Sequence, residues 1–241
     1  MGNQFYESGE KRAARVNDLF AAIAPRYDFI NDLQSFGLHR WWKNRLVRLA
    51  KAKPGDIALD MCCGTGDIAQ RLAQAGARVA GLDFNAPMLA VARQRTIKQT
   101  RSGPAPEFLQ GDAMNLPFGA DTFDIATVGY GLRNLSHWET GLREMLRVAK
   151  PGGRVLVLDF GKPDNTVWRA LYFTYLRLCV PLLGLIFCRN AAAYAYILES
   201  LKHYPAQNGV AAQMRALGMH NVRIINFLGG VMSINYGEKS P

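Results

Sequence analysis

From Asp56 onward the chain alternates short apolar runs with longer amphipathic stretches, and this alternation restricts the fold more than any other feature. Strand, helix and strand in succession make βαβ units, which build a parallel sheet covered by helices. The spacing predicts strands at Ile57–Met61, Val79–Asp83, Glu107–Gln110, Phe123–Val128 and Arg154–Asp159. Helices are predicted near Asp67–Gln74, Ala86–Gln99 and Trp138–Val148, with Gly76 and Pro151-Gly152-Gly153 as stops. Asn165–Tyr204 is rich in aromatic and aliphatic residues, and Ala206–Leu217 reads as a helix. Val222–Phe227 and Val231–Tyr236 flank Gly229-Gly230 and read as an antiparallel pair. Lys11–Lys53 reads as one or two helices that cap a cleft. The expected class is α/β and Rossmann-like: a seven-stranded, mostly parallel sheet ending in an antiparallel hairpin, with an N-terminal helical cap. At 241 residues one domain is expected: cap (1–53), ligand-binding core (54–160), apolar helical insertion (165–204), closing helix and hairpin (206–237).

Leu59-Asp60-Met61-Cys62-Cys63-Gly64-Thr65-Gly66-Asp67 follows a strand and opens a helix, so its glycines let the backbone turn tightly against a ligand. On its own the fragment is ambiguous, because residues 64–69 also satisfy the dinucleotide pattern G-x-G-x-x-A. The neighbouring charges separate the two readings. Asp60 and Asp67 bracket the turn, where carboxylates repel a pyrophosphate but attract the ammonium and sulfonium of S-adenosylmethionine. Asp83 ends the second strand, where a carboxylate accepts ribose hydroxyls, a feature shared with nicotinamide nucleotide sites. In Gln110-Gly111-Asp112-Ala113 the Asp112 carboxylate is suited to the adenine amino group and the Ala113 amide to a ring nitrogen. Any one of these acids alone reads equally as a helix cap. Three at successive strand ends are harder to explain that way, and Asp60, Gly64, Thr65, Gly66, Asp83, Asp112 and Ala113 are the expected cofactor-binding residues.

A net charge of +10 points to an anionic partner: phospholipid head groups, nucleic acid or a phosphorylated metabolite. Cys62-Cys63, Cys179 and Cys188 fit neither a disulfide framework nor a zinc spacing, which suits a reducing cytoplasm. Cys62 and Cys63 read as small packing residues rather than nucleophiles. Met1–Lys11 has no signal-peptide or myristoylation pattern. The most apolar segment, Leu171–Cys188, contains Arg177 near its middle, and its uninterrupted run Leu178–Cys188, which carries Pro181 and Gly184, is too short to span a bilayer. His39–Lys53 carries Arg40, Lys43, Arg45, Arg48, Lys51 and Lys53 without one acid, with Trp42, Leu46 and Leu49 on one face. Its plain reading is an apolar face on the sheet and a solvated basic face. Its functional reading is contact with anionic lipid.

Further motifs are Tyr27-Asp28-x-x-Asn31-Asp32-x-x-Ser35-x-Gly37-x-His39-Arg40-x-Trp42-Lys43 and Gly129-Tyr130-Gly131-Leu132-Arg133-Asn134. To these add Leu116-Pro117-Phe118, Leu158-Asp159-Phe160-x-Lys162-Pro163 and Ala193-Tyr194-x-Tyr196-x-x-x-Ser200. With the glycine loop, they make the chain resemble the ubiquinone/menaquinone biosynthesis C-methyltransferase family from roughly Val16 to Gly237. The resemblance implies a class I methyltransferase fold and methylation of a ring carbon on a prenylated quinol, with S-adenosylmethionine as donor. Gly129 before Tyr130 resembles the menaquinone-type members, favouring demethylmenaquinol or a related naphthoquinol over the 2-polyprenyl-6-methoxy-benzoquinol of ubiquinone biosynthesis. Ser233-Ile234-Asn235 departs from the pattern, which usually has alanine and histidine there.

Methylating an aromatic carbon calls for a phenolate, and ionising a phenol of pKa near 10 at pH 7 costs about 4 kcal/mol. Arg133 is expected to stabilise the phenolate and Asn134 to hold that guanidinium or donate to the oxygen. The proton would leave through water, His39 or Tyr27. No metal is expected. A polyprenyl substrate calls for a long apolar groove or for peripheral association with the inner face of the membrane, and Trp168–Cys188 suits both. Core packing or a homodimer interface is the competing reading of those aromatics. The rivals are an RNA or other small-molecule methyltransferase and a non-catalytic S-adenosylmethionine-binding protein. Against RNA, the fourth strand lacks the Asn/Asp-Pro-Pro-Tyr turn common in nitrogen methylation, and no nucleic acid partner is expected.

Overall fold

The protein is described from a computed structural model covering residues 10–98, 104–188 and 192–241. The reading of the extreme N-terminus and the predicted helical residue Gln99 lie outside the described residues. Three helices open the fold, α1 (Glu10–Ile23), α2 (Tyr27–Ser35) and α3 (Leu38–Ala50), where one or two were expected. Pro25 sits in a short 3-10 turn between the first two, and Gly37, with φ of 76°, turns the chain into the third.

The strands are β1 (Ile57–Met61), β2 (Arg78–Asp83), β3 (Glu107–Gln110), β4 (Phe123–Gly129), β5 (Ala149–Phe160), β6 (His220–Phe227) and β7 (Met232–Glu238). They form a seven-stranded sheet in the order β3-β2-β1-β4-β5-β7-β6. The first five run parallel, while β7 pairs antiparallel with both β5 and β6. This is the expected architecture. Strand β5 is longer than predicted, because Ala149 already pairs with Phe123 and the Gly152 amide donates to the Lys239 carbonyl at 2.9 Å. Pro151-Gly152-Gly153 therefore lies inside an edge-like extension of the strand rather than in a loop.

The remaining helices are α4 (Asp67–Gln74), α5 (Ala86–Lys98), α6 (Trp138–Val148), α7 (Thr166–Cys188), α8 (Ala192–His203) and α9 (Ala206–Ala216). Side chains alternate across a strand, so each strand feeds two cores. Ala58, Leu156 and Leu158 pack with Trp42 and Leu46 of α3 and with Ile68 and Leu72 of α4. Leu59, Met61, Val155 and Val157 pack on the other face with Leu142 and Met145 of α6 and Met214 of α9. On α3 the buried stripe is Trp42, Leu46 and Ala50, with Leu49 only half-buried. Lys43, expected on the solvated basic face, is buried. Among the described residues no helix is long and apolar enough to cross a membrane.

Candidate active site

Parallel strands deliver their C-terminal ends to one edge of the sheet, so the loops after β1, β2, β3 and β4 meet there. The turn after β1 is held by the Gly64 amide, which donates to Asp83 Oδ2 at 2.7 Å, while the Asn85 amide donates to Asp83 Oδ1 at 2.8 Å. Gly66 has φ of 78°, and a Cβ there would lie 2.7 Å from the Phe108 ring. Only glycine fits that junction. Gly64, with φ of 54°, has open space where its Cβ would stand, and it borders a cavity of about 950 Å³. Asp83, Asp112 and Ala113 line the same cavity, and Asn17 and Phe20 of α1 roof it. Burial pushes the Asp83 carboxyl above its ordinary value against its backbone hydrogen bonds.

Asp60, Thr65 and Gly66 are not among the residues on the wall of this cavity, although Thr65 and Gly66 follow Gly64 directly in the turn. Asp60 shares the strand face of Ala58 and turns toward α4, where it accepts from the Ala69 amide at 3.0 Å and meets the Thr127 hydroxyl at 2.9 Å. It braces the first turn of α4 against β4. The Thr65 hydroxyl donates to Asp28 of α2 at 3.2 Å. Asp67, expected to bracket the turn and attract a cationic ligand, is paired with Lys43 at 2.9 Å and Arg71 at 2.8 Å. Burial alone would raise its carboxyl, but the two cations outweigh that and draw it to about 2.

Burial pushes Asp60 up to about 7 despite its hydrogen bonds. That folded value lies above the ordinary carboxylate value, so the stability contributed by the neutral carboxyl is complete below about pH 4 and is lost as pH rises through about 7. Asp60→Asn keeps a neutral side chain with one acceptor and one donor and is expected to flatten this dependence. Thermal unfolding between pH 5 and pH 8 should fall more steeply for the parent than for the variant, at about 2–4 °C per kcal/mol. Parallel profiles would refute the assignment.

A second cavity, of about 890 Å³, adjoins the first and shares Phe20, Tyr27 and Tyr130 with it as walls. Its lining is mostly apolar, with Ile30 of α2, Leu176 and Val180 of α7 and Ile197 of α8. Arg133, buried, is its one ionised side chain among the described residues. Nη1 of Arg133 donates to Asp159 Oδ1 at 2.6 Å and to the Tyr130 carbonyl at 2.7 Å, and the guanidinium lies 4.6 Å over the Phe160 ring. Burial raises the Asp159 carboxyl while Arg133 pulls it back. Asn134 donates to the same Tyr130 carbonyl at 3.1 Å but lines the first cavity, not the second. The two residues thus border different chambers.

Tyr27 lies between the chambers and His39 lines the second. Burial, then Lys43, push the His39 imidazole down to about 4, and Ser35 Oγ lies 3.1 Å from its Nδ1. A neutral imidazole that resists protonation is a poor store for a proton. Burial likewise raises Tyr27, which keeps its proton. Cys62 borders the first cavity, and burial raises its thiol well above the ordinary value, so it is no thiolate nucleophile. The residue that sequence reasoning missed is Asp159. Its signal was present, since it stands one residue before the end of β5, much as Asp83 ends β2.

Residues 7–239 match the model of the ubiE/COQ5 methyltransferase family. The chain belongs to the ubiE/COQ5 methyltransferase family. It is similar to the demethylmenaquinone methyltransferase of Desulfitobacterium hafniense, at 42% identity over 96% of this chain and 92% of that one. The ubiquinone/menaquinone biosynthesis C-methyltransferase UbiE of Ectopseudomonas mendocina is 39% identical over 95% of this chain and 90% of that one. Among solved structures, a SAM-dependent methyltransferase from Aquifex aeolicus superposes with a TM-score of 0.60 at 17% identity, covering 88% of this chain and 97% of that one. A possible histamine N-methyltransferase from Thermotoga maritima gives 0.65 at 17% identity, covering 92% and 99%. These two share the fold. As a member of the family this chain is a methyltransferase with S-adenosylmethionine as donor, and the first cavity suits that donor. Its glycine cradle is open toward the space, and Asp83 and Asp112 stand on its wall. Gly129, which marked the menaquinone-type resemblance, abuts Ile68 Cδ1, so a serine there would have to displace that methyl. Ser233 and Asn235 are buried, and Asn235 donates to the Gln207 carbonyl at 2.8 Å, so this departure serves the contact of β7 with α9.

Proposed function

We propose that this member of the family methylates a ring carbon of a prenylated quinol, demethylmenaquinol or a related naphthoquinol. The observation that carries the reading is the pair of adjoining chambers, one edged by acids and one apolar with, among the described residues, a single guanidinium, which share Tyr130 as a wall. S-adenosylmethionine supplies an electrophilic methyl group. Asp83 would accept from its ribose hydroxyls, Asp112 from its adenine amino group, and the Ala113 amide would donate to a ring nitrogen. Arg133 would draw negative charge onto the acceptor oxygen next to the reacting carbon. Because Asp159 compensates that cation, the pair acts as an oriented dipole rather than as a bare charge, and the ring proton must leave to solvent. The mostly apolar walls lower the local polarity, which strengthens that dipole.

The outer surface favours an anionic bilayer as the source of such a substrate. On α3, Leu38, Trp41, Arg45 and Arg48 fall on one exposed face. Trp41 packs edge-on against Phe227 at 5.1 Å, and the adjacent Leu228 carbonyl accepts from Trp168 Nε1 at 2.9 Å. Val167, Trp168 and Leu171 of α7 and Leu228 are all exposed. An aromatic and aliphatic band with basic residues at its border is suited to the lipid interface. One incubation tests both parts: labelled donor, enzyme, added RNA and protein extract, and quinol-bearing vesicles, anionic or zwitterionic, separated into lipid, RNA and protein fractions. Label is expected in the quinone, with cosedimentation stronger on anionic vesicles and weakened in Trp41→Ala. Label confined to RNA or protein would overturn the substrate, and equal recovery with and without vesicles would overturn the docking.

A further inference from the structure

Two phenol hydroxyls on the wall of the acceptor chamber have no hydrogen-bond partner among the described residues. Tyr130 is 9% exposed and Tyr172 is 6% exposed, both line the chamber, and neither Oη is satisfied. A buried hydroxyl left without a partner costs roughly 1–3 kcal/mol, so two on one apolar chamber, with Asn31 Nδ2 also unpartnered among the described residues on that wall, indicate a ligand with more than one polar atom. They come from different elements, Tyr130 from the turn after β4 and Tyr172 from α7.

Tyr130 is also held in a conformation that side chains avoid. Its φ is 62°, in the left-handed region. The Tyr130 amide donates to the Leu158 carbonyl at 2.8 Å, and its own carbonyl accepts from Arg133 and Asn134. Its ring lies 5.8 Å from Phe160. Three ties and a packed ring thus hold an uncommon backbone state, as at sites where a side chain must be aimed. Burial raises both hydroxyls above their ordinary values, so they stay protonated and act as donors rather than bases.

We infer that Tyr130 and Tyr172 donate hydrogen bonds to the two ring oxygens of the acceptor, and so fix which ring carbon is presented to the donor chamber. The inference rests on the quinol reading above. Tyr204 supplies an internal comparison. Its hydroxyl is also buried and unpartnered, but it packs edge-on against Trp138 at 6.0 Å and does not line either chamber.

The test uses the full chain with S-adenosylhomocysteine bound and a 1,4-naphthohydroquinone bearing a short prenyl tail, kept reduced. Its two monohydroxy analogues, each lacking one ring oxygen, complete the set. Binding is measured by calorimetry, and the melting temperature of the ligand-free protein is measured in parallel. Tyr130→Phe and Tyr172→Phe should each weaken the diol by about tenfold. Each variant should bind one analogue, a different one for each, as well as the parent enzyme does. Both variants and Tyr204→Phe should melt at or above the parent temperature, because an unsatisfied hydroxyl has been removed, and Tyr204→Phe should leave diol binding unchanged. Undiminished diol affinity in both variants, or equal losses on the diol and both analogues with lowered melting, would overturn the inference alone. A parent enzyme that binds S-adenosylhomocysteine but none of the three compounds would overturn the quinol reading and this inference with it.

Discussion

Arg133→Gln is expected to lower kcat by about 100- to 1000-fold while leaving the affinity for S-adenosylmethionine within about twofold. The size follows from the roughly 4 kcal/mol needed to ionise a phenol at pH 7, of which an oriented cationic donor removes the larger part. The single variant has a second effect that must be separated from the first. Arg133 and Asp159 form a buried pair at 2.6 Å, and removing one partner strands a carboxylate at a cost of about 3–5 kcal/mol. Arg133→Gln/Asp159→Asn removes both charges and should recover most of the lost stability without recovering turnover. Single-turnover rates, melting temperatures and donor affinity for the parent, the single variant and the double variant separate the two contributions. A folded single variant with parental turnover would exclude Arg133 from the chemistry.

Asp83→Ala should weaken donor binding by about 100-fold, because one carboxylate fixes the Gly64 and Asn85 amides and is also the proposed acceptor for two ribose hydroxyls. Asp83→Asn keeps one acceptor oxygen and should fall between the parent and the alanine variant. The contrast with Asp60 is the sharper part of the expectation. Asp60→Asn alters an acid of the same motif but one turned toward α4, so the donor affinity should stay near parental. Calorimetry on the three variants decides the matter, and equal losses at the two positions would mean that the distinction between lining and bracing acids is wrong.

The sheet was readable along the chain because its cause is local and periodic. Short apolar runs at the strands and glycines at several of the turns leave a mark every few residues, and the terminal hairpin was marked by Gly229-Gly230. The direction of a carboxylate at a turn leaves no such mark, and this is where the site reading parted from the structure. Asp60 and Asp67 look alike beside the loop, yet one faces a helix and the other is neutralised by Lys43, which lies 24 residues away in sequence. The parity of β1 did contain part of the answer, since Asp60 must share a face with Ala58. Asp159 escaped because its partner is 26 residues distant and neither residue announces the other. Asn134 and Arg133 are neighbours in the chain, and only the 3-10 turn at Leu132–Asn134 sends them to separate chambers.

The shared wall of Phe20, Tyr27 and Tyr130 limits how ring preference can diverge within such an enzyme. A change at any of these three positions is felt by both ligands at once, so a shift in acceptor taste there would carry a penalty for the methyl source. The apolar chamber's walls at Val180 and Ile197, which do not border the donor chamber, are free of that constraint. Members with different quinones should therefore differ most in the helices after β5 and least where the two ligands meet.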